Sequence, residues 1–427
     1  MKKKIIVRGP ALSRSGYGEQ CRFALRALRS REDVLDIYIL NTNWGKTSWL
    51  SADDEERQWI DSMLIKTNML LQQTNNKPQF DASLQVTIPN EWERMAPINI
   101  GYTAGIETTK IAPQWIEKSM IMDHIITISN HSKNVYNSTS YQVTNNKTGE
   151  QIDDFSNKIP VTVVNYPVRQ FDKVELDLDF DTEFNFLAVA QWGPRKNMDR
   201  LLKWFLQEFS DKEVGMVLKT FGANSATPDE KHTYDAISKI LKNYPDRKCK
   251  VYLIHGEMSG AELNSLYNHP KIKCLATLTH GEGFGLPIFE AAYNGLPVIA
   301  PGWSGQCDYL YMPQRNKKGR RTKMKAKFTP VSYSLGTVPE NAVWDGVIQA
   351  DSQWCYPEEK SYKNALSDVF KNIKAKEKEA KQLQKWILEN FTEEGKCKEF
   401  VDCILKYVPD NKEEIDWNHQ ISQMQVL

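Results

Sequence analysis

The chain has 427 residues, too many for one ordinary hydrophobic core, so length alone implies two domains with room for an added subdomain. Its 55 basic and 54 acidic side chains leave a net charge of +1, which directs global electrostatics at no class of partner. With 41% hydrophobic and 26% charged residues and no apolar run long enough to cross a bilayer, the composition is that of a soluble globular protein. The 7 cysteines form no C-x-x-C pair and the 7 histidines show no metal-ligand spacing, so the reading is a cytoplasmic protein with free thiols, no zinc site and no other metal. The opening Met1–Gly9 is charged, but its apolar run Ile5-Ile6-Val7 ends at Arg8, which suits a first strand better than a signal peptide.

That strand, Lys4 to Val7, runs into Gly9-Pro10-Ala11-Leu12-Ser13-Arg14-Ser15-Gly16-Tyr17-Gly18 and then into a helical pattern from Glu19 to Arg29 carrying Phe23, Ala24, Ala27 and Leu28. Strand, glycine-rich loop and helix make a nucleotide- or phosphate-binding opening, although the spacing is not G-x-G-x-x-G and such turns are common. A second strand is predicted over Val34 to Leu40, a scaffold helix over Asp53 to Leu71, and a polar connection from Gln72 to Phe80. Ile98 to Thr108 repeats the pattern of a strand followed by small residues and contains Glu107. His124, inside an apolar strand, reads as a core histidine.

Phe184 to Asn197 reads as a buried strand ending in a turn with the adjacent cations Arg195 and Lys196, followed by a helix from Asp199 to Phe209. Such a pair on a surface turn is ordinarily just solvated. Strands follow at Val214 to Thr220 and Lys250 to His255, separated by a lysine-rich helix around Ala236 to Asn243; then come a helix at Ala261 to Tyr267 and a strand at Lys273 to Leu278. Repeated units of this length indicate parallel sheets, whose ligands lie at the carboxyl ends of the strands.

The last of these strands delivers Thr279-His280-Gly281-Glu282-Gly283-Phe284-Gly285-Leu286-Pro287-Ile288-Phe289-Glu290, a glycine loop and then a helix opened by Pro287 and stopped at Gly295-Leu296-Pro297 before the apolar Val298-Ile299-Ala300. Glu290 lies eight positions beyond Glu282, about two helical turns at ~1.5 Å per residue, so both carboxylates can face one ligand at different depths. Free amides from Phe284 to Ile288 would aim partial positive charge at an anion such as a diphosphate, and the carboxylates would accept hydrogen bonds from sugar hydroxyls. The plainer alternative is a tight turn and a surface helix with two solvated glutamates.

Arg315 to Lys327 is strongly cationic in a balanced chain, either a solvated insertion or a contact for a polyanion such as nucleic acid, a phosphorylated glycan or an anionic membrane. No aromatics are interleaved for single-strand stacking. Ser361 to Asn390 is helical with charged faces, and Gly395 to Tyr407 forms a further helix carrying Phe400, Val401, Ile404 and Leu405.

The string from Thr279 to Ala300 resembles the E-x7-E signature of retaining, nucleotide-sugar-dependent glycosyltransferases of the family 4 (group 1) type. The likeness is sharpest over residues 251–310 and, with the flanking segments, covers most of the chain. It implies an α/β fold of the GT-B kind, two Rossmann-like domains facing across a cleft. By the same likeness Asp123 to Lys133 is a late strand of the first domain with a helix cap at Ser129 or Asn130. Val161 to Val168 is then its last strand, and the acid-rich Asp172 to Glu183 suits the linker. The boundaries become 1–170 for an acceptor-side domain, 171–395 for a nucleotide-sugar-binding domain, and 396–427 for a helical segment whose residues 408–427 return to the first domain.

The resemblance places Glu290 on the donor ribose, Glu282 close to the donor sugar, and the amides of Gly283, Phe284, Gly285 and Leu286 on sugar hydroxyls and phosphate. Lys196 matches the lysine that neutralises the leaving diphosphate; the family's arginine position is Gln191 here, leaving Arg195 to compensate with its bidentate fork. Gly16 and Gly18 become cleft-facing donor contacts, with Ser13 and Tyr17 on the acceptor side. Many relatives place a histidine after the strand at 98–103; this chain offers Glu107, either an acceptor-side carboxylate or a cap for the following turn. Ser304 to Tyr309 matches the family's loop after the next strand. The implied activity is transfer of a hexose, glucose from UDP-glucose in the first instance, to an acceptor hydroxyl with retention and without metal or other cofactor. The acceptor stays open among glycan, lipopolysaccharide, protein and modified nucleic acid. A non-catalytic nucleotide-sugar or polyanion-binding module is the alternative, and an epimerase or phosphorylase on the same architecture is a third reading.

Overall fold

The computed structural model describes residues 2–45, 47–144, 149, 151–315 and 322–408. Two six-stranded sheets, each wholly parallel, organise the chain. The first contains β1 (Lys3–Gly9), β2 (Leu35–Asn41), β3 (Ala82–Gln85), β4 (Ile98–Thr103), β5 (His124–Thr127) and β8 (Val161–Val163), in the order β2-β1-β3-β4-β5-β8. A side hairpin, β6 (Ser140–Thr144) with β7 (Gln151–Ser156), precedes β8. The helices that cover this sheet are α1 (Gly16–Arg29), α2 (Glu55–Gln73), α3 (Pro113–Ser119) and α4 (Asn130–Ser138).

The second sheet contains β9 (Asn185–Gln191), β10 (Gly215–Phe221), β11 (Lys250–Ile254), β12 (Ile272–Ala276), β13 (Val298–Pro301) and β16 (Thr329–Val331), ordered β11-β10-β9-β12-β13-β16. Its helices are α5 (Met198–Phe209), α6 (Thr227–Leu241), α7 (Gly260–Tyr267), α8 (Leu286–Tyr293) and the short α9 (Cys307–Leu310). Two antiparallel hairpins are added, β14 (Tyr311–Arg315) with β15 (Thr322–Ala326) and β17 (Tyr333–Thr337) with β18 (Gln353–Pro357). The last elements of the described residues are α10 (Glu359–Lys371), α11 (Ile373–Asn390) and α12 (Glu393–Leu405).

The parallel strands are apolar almost without a break because helices cover both faces, and Ile5, Ile6, Val7, Met216, Val217 and Leu218 are all buried. α1 shows the helical logic: Ser15 caps it by accepting from the Gly18 amide at 3.0 Å, and Phe23, Ala24, Ala27 and Leu28 form the buried stripe. Among the described residues, no helix is long and apolar enough to cross a membrane.

Several elements differ from the sequence reading. β3 is a real strand although Ser83 and Gln85 alternate with its apolar residues; both are fully buried, with Ser83 Oγ donating to Asn99 Oδ1 at 2.9 Å and Gln85 Nε2 to the Glu93 carbonyl at 2.6 Å. The helix expected around Ala236 begins earlier, at Thr227, with Pro228 in its first turn. The single helix expected over 361–390 is broken at Asn372 into α10 and α11. The segment expected to return to the first domain, apart from Val408, lies outside the described residues. α12 itself rests on the first sheet's helical layer: the Phe400 ring packs on Phe23 at 5.5 Å and on Tyr102 at 5.0 Å. Just after it, Tyr407 Oη lies 2.9 Å from His124 Nδ1, whose Nε2 faces Thr162 Oγ1 at 3.1 Å. Burial pushes the His124 imidazole down to about 4, so it is a neutral core group.

Candidate active site

In the second sheet the strand order reverses between β9 and β12, the position at which open parallel sheets form a ligand crevice. The two loops leaving these strands meet there. After β9, a 3-10 turn over Pro194–Lys196 ends on Asn197, which takes a left-handed φ of 56° and starts α5. After β12 comes the glycine loop. The His280 amide donates to the Arg195 carbonyl at 2.8 Å and joins the two loops through the backbone.

Four charges line up where they join. Lys196 Nζ donates to Glu282 Oε1 at 2.6 Å; Arg195 Nη1 lies 3.2 Å from Glu282 Oε2 and donates to the Gly281 carbonyl at 2.6 Å; Arg195 Nη2 is 3.2 Å from Glu107 Oε1. Glu107 therefore reaches a cation of the other sheet's loop, and among the described residues its carboxylate makes this ion pair and caps no helix or turn. The Glu282 side chain is only 9% exposed. Burial alone would raise its carboxyl, but Lys196 and Arg195 outweigh that and bring it down to about 2, so it is ionised throughout the physiological range. Its peptide is fixed on both sides: the Glu282 amide donates to Ser304 Oγ and the Gly305 amide to the Glu282 carbonyl, each at 2.9 Å. Ser304 itself holds a left-handed φ of 68°, a conformation costly for a non-glycine residue that the sequence does not signal.

Gly285, at φ 86°, turns the chain into α8. Its carbonyl accepts from the Ile288 and Phe289 amides at 3.0 Å, while the amides of Gly283, Phe284, Gly285 and Leu286 have no acceptor among the described residues. These free donors stand at the positive end of a helix beside Lys196. A cavity of about 10 Å³, room for one water, is lined by residues of both loops, Lys196, Glu282, Thr277, Pro287 and Ile288 among them. Phe284 contributes its backbone only: its ring is 2% exposed and packs on Tyr166, Phe289 and Tyr309. The Tyr309 hydroxyl, 3.0 Å from the Phe284 carbonyl and 2.9 Å from that of Gly285, holds the turn from beneath. Further along α8, Glu290 Oε2 accepts from the Tyr267 hydroxyl at 2.9 Å, and burial pushes its carboxyl up to about 7.

The remaining sequence-predicted residues divide. Gln191 is not brought to this cluster: it is exposed, and Nε2 donates to the Gly222 carbonyl at 2.7 Å across the β9–β10 end. Tyr17 is buried, its hydroxyl 3.0 Å from Thr103 Oγ1 and accepting from the Ala104 amide at 3.2 Å, so it braces the loop after β4. Gly16 faces open space, whereas a Cβ on Gly18 would meet the Ser13 carbonyl at 1.9 Å. Ser13 Oγ is 2.6 Å from Thr47 Oγ1. The two units touch at the glycine loop, where a Cβ on Gly283 would meet the Ala104 carbonyl at 2.5 Å and one on Gly281 the Glu107 carbonyl at 2.3 Å.

Three further contributors escaped the sequence reading. The β17–β18 hairpin backs the loop, with His280 Nδ1 donating to the Cys355 carbonyl at 2.5 Å and its ring stacked on Trp354 at 4.8 Å and 14°. Trp303 lies against Gly281, and His131 packs edge-on against Trp303 at 4.9 Å, so a histidine does stand at this junction, supplied by α4 and not by the strand at 98–103. The cationic stretch 315–327 is no uniform face: residues 316–321 lie outside the described residues, its flanks pair as β14 and β15, and Lys327 is buried with Nζ 2.7 Å from Gln382 Oε1. Among the described residues, no three His, Cys, Asp or Glu side chains are grouped to hold a metal ion.

No family model and no curated protein matches the sequence. The fold does match solved structures. A sucrose-phosphate synthase from Thermosynechococcus elongatus superposes with a TM-score of 0.60 at 12% identity over 96% of this chain and 100% of that one. HepE of Anabaena, in complex with UDP and glucose, gives 0.57 at 10% identity over 95% and 100%. A glycosyltransferase from Rickettsia africae gives 0.55 at 12% identity over 96% and 100%. The likeness spans both sheets, and the chain has the GT-B architecture of two Rossmann-like units facing each other.

Proposed function

We propose that this protein is a retaining glycosyltransferase that moves a hexose, with glucose on UDP as the donor we favour, to an acceptor hydroxyl. The observation that carries the reading is the run of four acceptor-free amides, Gly283 to Leu286, opening α8 beside Lys196 and Arg195 at the crevice of the second sheet. Lys196, Arg195, Glu282 and Glu107 sum to zero charge, so the pull on a diphosphate comes from the amides and from unused donors. Glu282 takes one of the three N–H groups of Lys196, which leaves two for phosphate oxygens.

In the reaction we assign, the bond between the sugar's anomeric carbon and the diphosphate oxygen breaks as the acceptor oxygen bonds to that carbon on the same face. The acceptor proton passes to the departing phosphate oxygen. Charge grows on that oxygen in the transition state, where fixed donors in a site shielded from water act most strongly; one such donor is worth roughly 10²–10³ in rate. Glu290 accepts from the ribose hydroxyls. Two findings support this: the fold, and the HepE structure, which holds UDP and glucose. The chain's own cations and amides carry the leaving-group charge in this scheme. Incubating the purified protein with UDP-glucose in EDTA and following the anomeric protons by NMR tests it. Slow release of UDP with α-glucose appearing before mutarotation is the expected result. The β-anomer appearing first would exclude retention, and an inert donor that also fails to bind would remove the assignment.

A further inference from the structure

The first unit has a cavity of its own, 230 Å³ in volume, where β1 and β2 end, with Leu12, Ser13, Asn41, Thr42, Trp44 and Trp49 among its walls. The geometry points to this cavity as a subsite for one uncharged sugar ring of the acceptor. The inference rests on the glycosyltransferase reading and names the acceptor class that reading leaves open.

The walls carry the chemistry of a saccharide site. A sugar ring presents an apolar C–H face and a rim of hydroxyls, so it is matched by aromatic faces set among uncharged donors and acceptors. Trp44 is one such face, held by its contact with Tyr17 at 4.2 Å between ring centroids and 33° between planes. Trp49, 57% exposed at the rim, is the other. Its segment is pinned by a bridge to Ser13, by the Leu50 amide donating to the Leu12 carbonyl at 2.7 Å, and by the Arg14 amide donating to the Ser48 carbonyl at 2.8 Å. An indole fixed in water gains nothing for the fold from its exposed face; a ligand supplies the missing partner.

The polar walls agree. Thr42 lines the cavity, although its hydroxyl is buried away from the cavity space and has no partner among the described residues. Asn41 is oriented because Oδ1 accepts from the Leu12 amide at 3.1 Å, which leaves its NH₂ as a donor. None of the described lining side chains is charged, and the nearby Arg14 is 3.2 Å from Glu257. Lys46 lies outside the described residues. At 230 Å³ the cavity has room for a single ring. The cavity is also wired to the donor side: Tyr17, under Trp44, holds Ala104, whose carbonyl abuts Gly283.

Saturation-transfer NMR on the full chain, in the presence of UDP, tests this with methyl α-D-glucopyranoside, methyl β-D-galactopyranoside and maltose as probes and glucose 6-phosphate as the charged comparison. A neutral glycoside should bind. Trp49→Ala, which removes an exposed ring and leaves the core intact, should weaken it about tenfold, the factor that corresponds to 1.4 kcal/mol. Asn41→Asp, which keeps the Oδ1 acceptor for the Leu12 amide and loses the NH₂ donor, should weaken it several-fold, and neither variant should alter UDP affinity. Binding unchanged in both variants, or binding of glucose 6-phosphate alone, overturns the inference. If UDP binds and no glycoside does, the subsite is wrong and the donor site stands; if UDP does not bind, the reading beneath both is wrong.

Discussion

Glu282 and Glu290 are eight residues apart on one loop and helix, yet their surroundings push their carboxyls in opposite directions. Glu282 has two cations on it and sits at about 2; Glu290 is buried against the Tyr267 hydroxyl and near Glu19, with Arg169 as the opposing charge, and sits at about 7. Such a split assigns different work: a fixed anion that positions Lys196 and Arg195, and a carboxyl that changes state near neutrality. In the proposed site, ionised Glu290 accepts from ribose hydroxyls more strongly than the neutral acid, so UDP affinity should rise as pH increases through about 7, and Glu290→Gln should flatten that rise. Calorimetric titrations at several pH values check this; an identical pH profile in the variant would remove Glu290 from the ribose. The same shift has a stability consequence. The folded state holds this proton more tightly than the unfolded chain does, so its contribution is complete below 4.5 and is lost as pH rises through about 7.

At the scale of elements, the glycine loop is shaped by what lies behind it. A Cβ on Gly305 would fall 1.9 Å from the Gly283 carbonyl and 2.8 Å from that of Glu282, both backbone atoms that cannot step aside cheaply. Gly305→Ala should cost about 1–3 kcal/mol and weaken UDP binding by tilting the free amides, whereas Gly193→Ala, with open space around it, should change stability by less than about 0.5 kcal/mol. Thermal unfolding with and without UDP separates the two; equal behaviour would mean that Gly305 does not set the loop. The parts legible in the sequence were those whose chemistry is local: the Pro287 start of α8, the Gly295 stop, the spacing of the two glutamates, and the apolar runs of the parallel strands. The parts that were not depend on distant partners. Gln191 and Tyr17 read as site residues until Gly222 and Thr103 claimed their side chains. β3 hid its buried Ser83 and Gln85 among polar residues, and β17 pairs with a strand beyond an intervening loop, so neither shows a run of apolar residues.

Across the whole molecule, the two units are joined at several points. Arg195 meets Glu107 and Arg14 meets Glu257, each at 3.2 Å, while Asp308 Oδ2 accepts from the Asn130 amide at 2.9 Å and from Asn165 Nδ2 at 3.0 Å, placing a carboxylate of one unit on the N-terminus of a helix of the other. α12 adds an apolar tie. Phe400 is fully buried against Phe23 and Tyr102, so Phe400→Ala should cost about 3–5 kcal/mol in denaturant unfolding, and a loss below about 1 kcal/mol would show that α12 docks loosely. In the proposed function, the amides opening α8, with Lys196, hold a nucleoside diphosphate. A calorimetric titration of UDP into the wild-type protein and Lys196→Ala tests it most directly. Binding by the wild type and a loss of tenfold or more, at least about 1.4 kcal/mol, in the variant is the expected result; equal affinity in both, or no binding by either, would overturn the assignment.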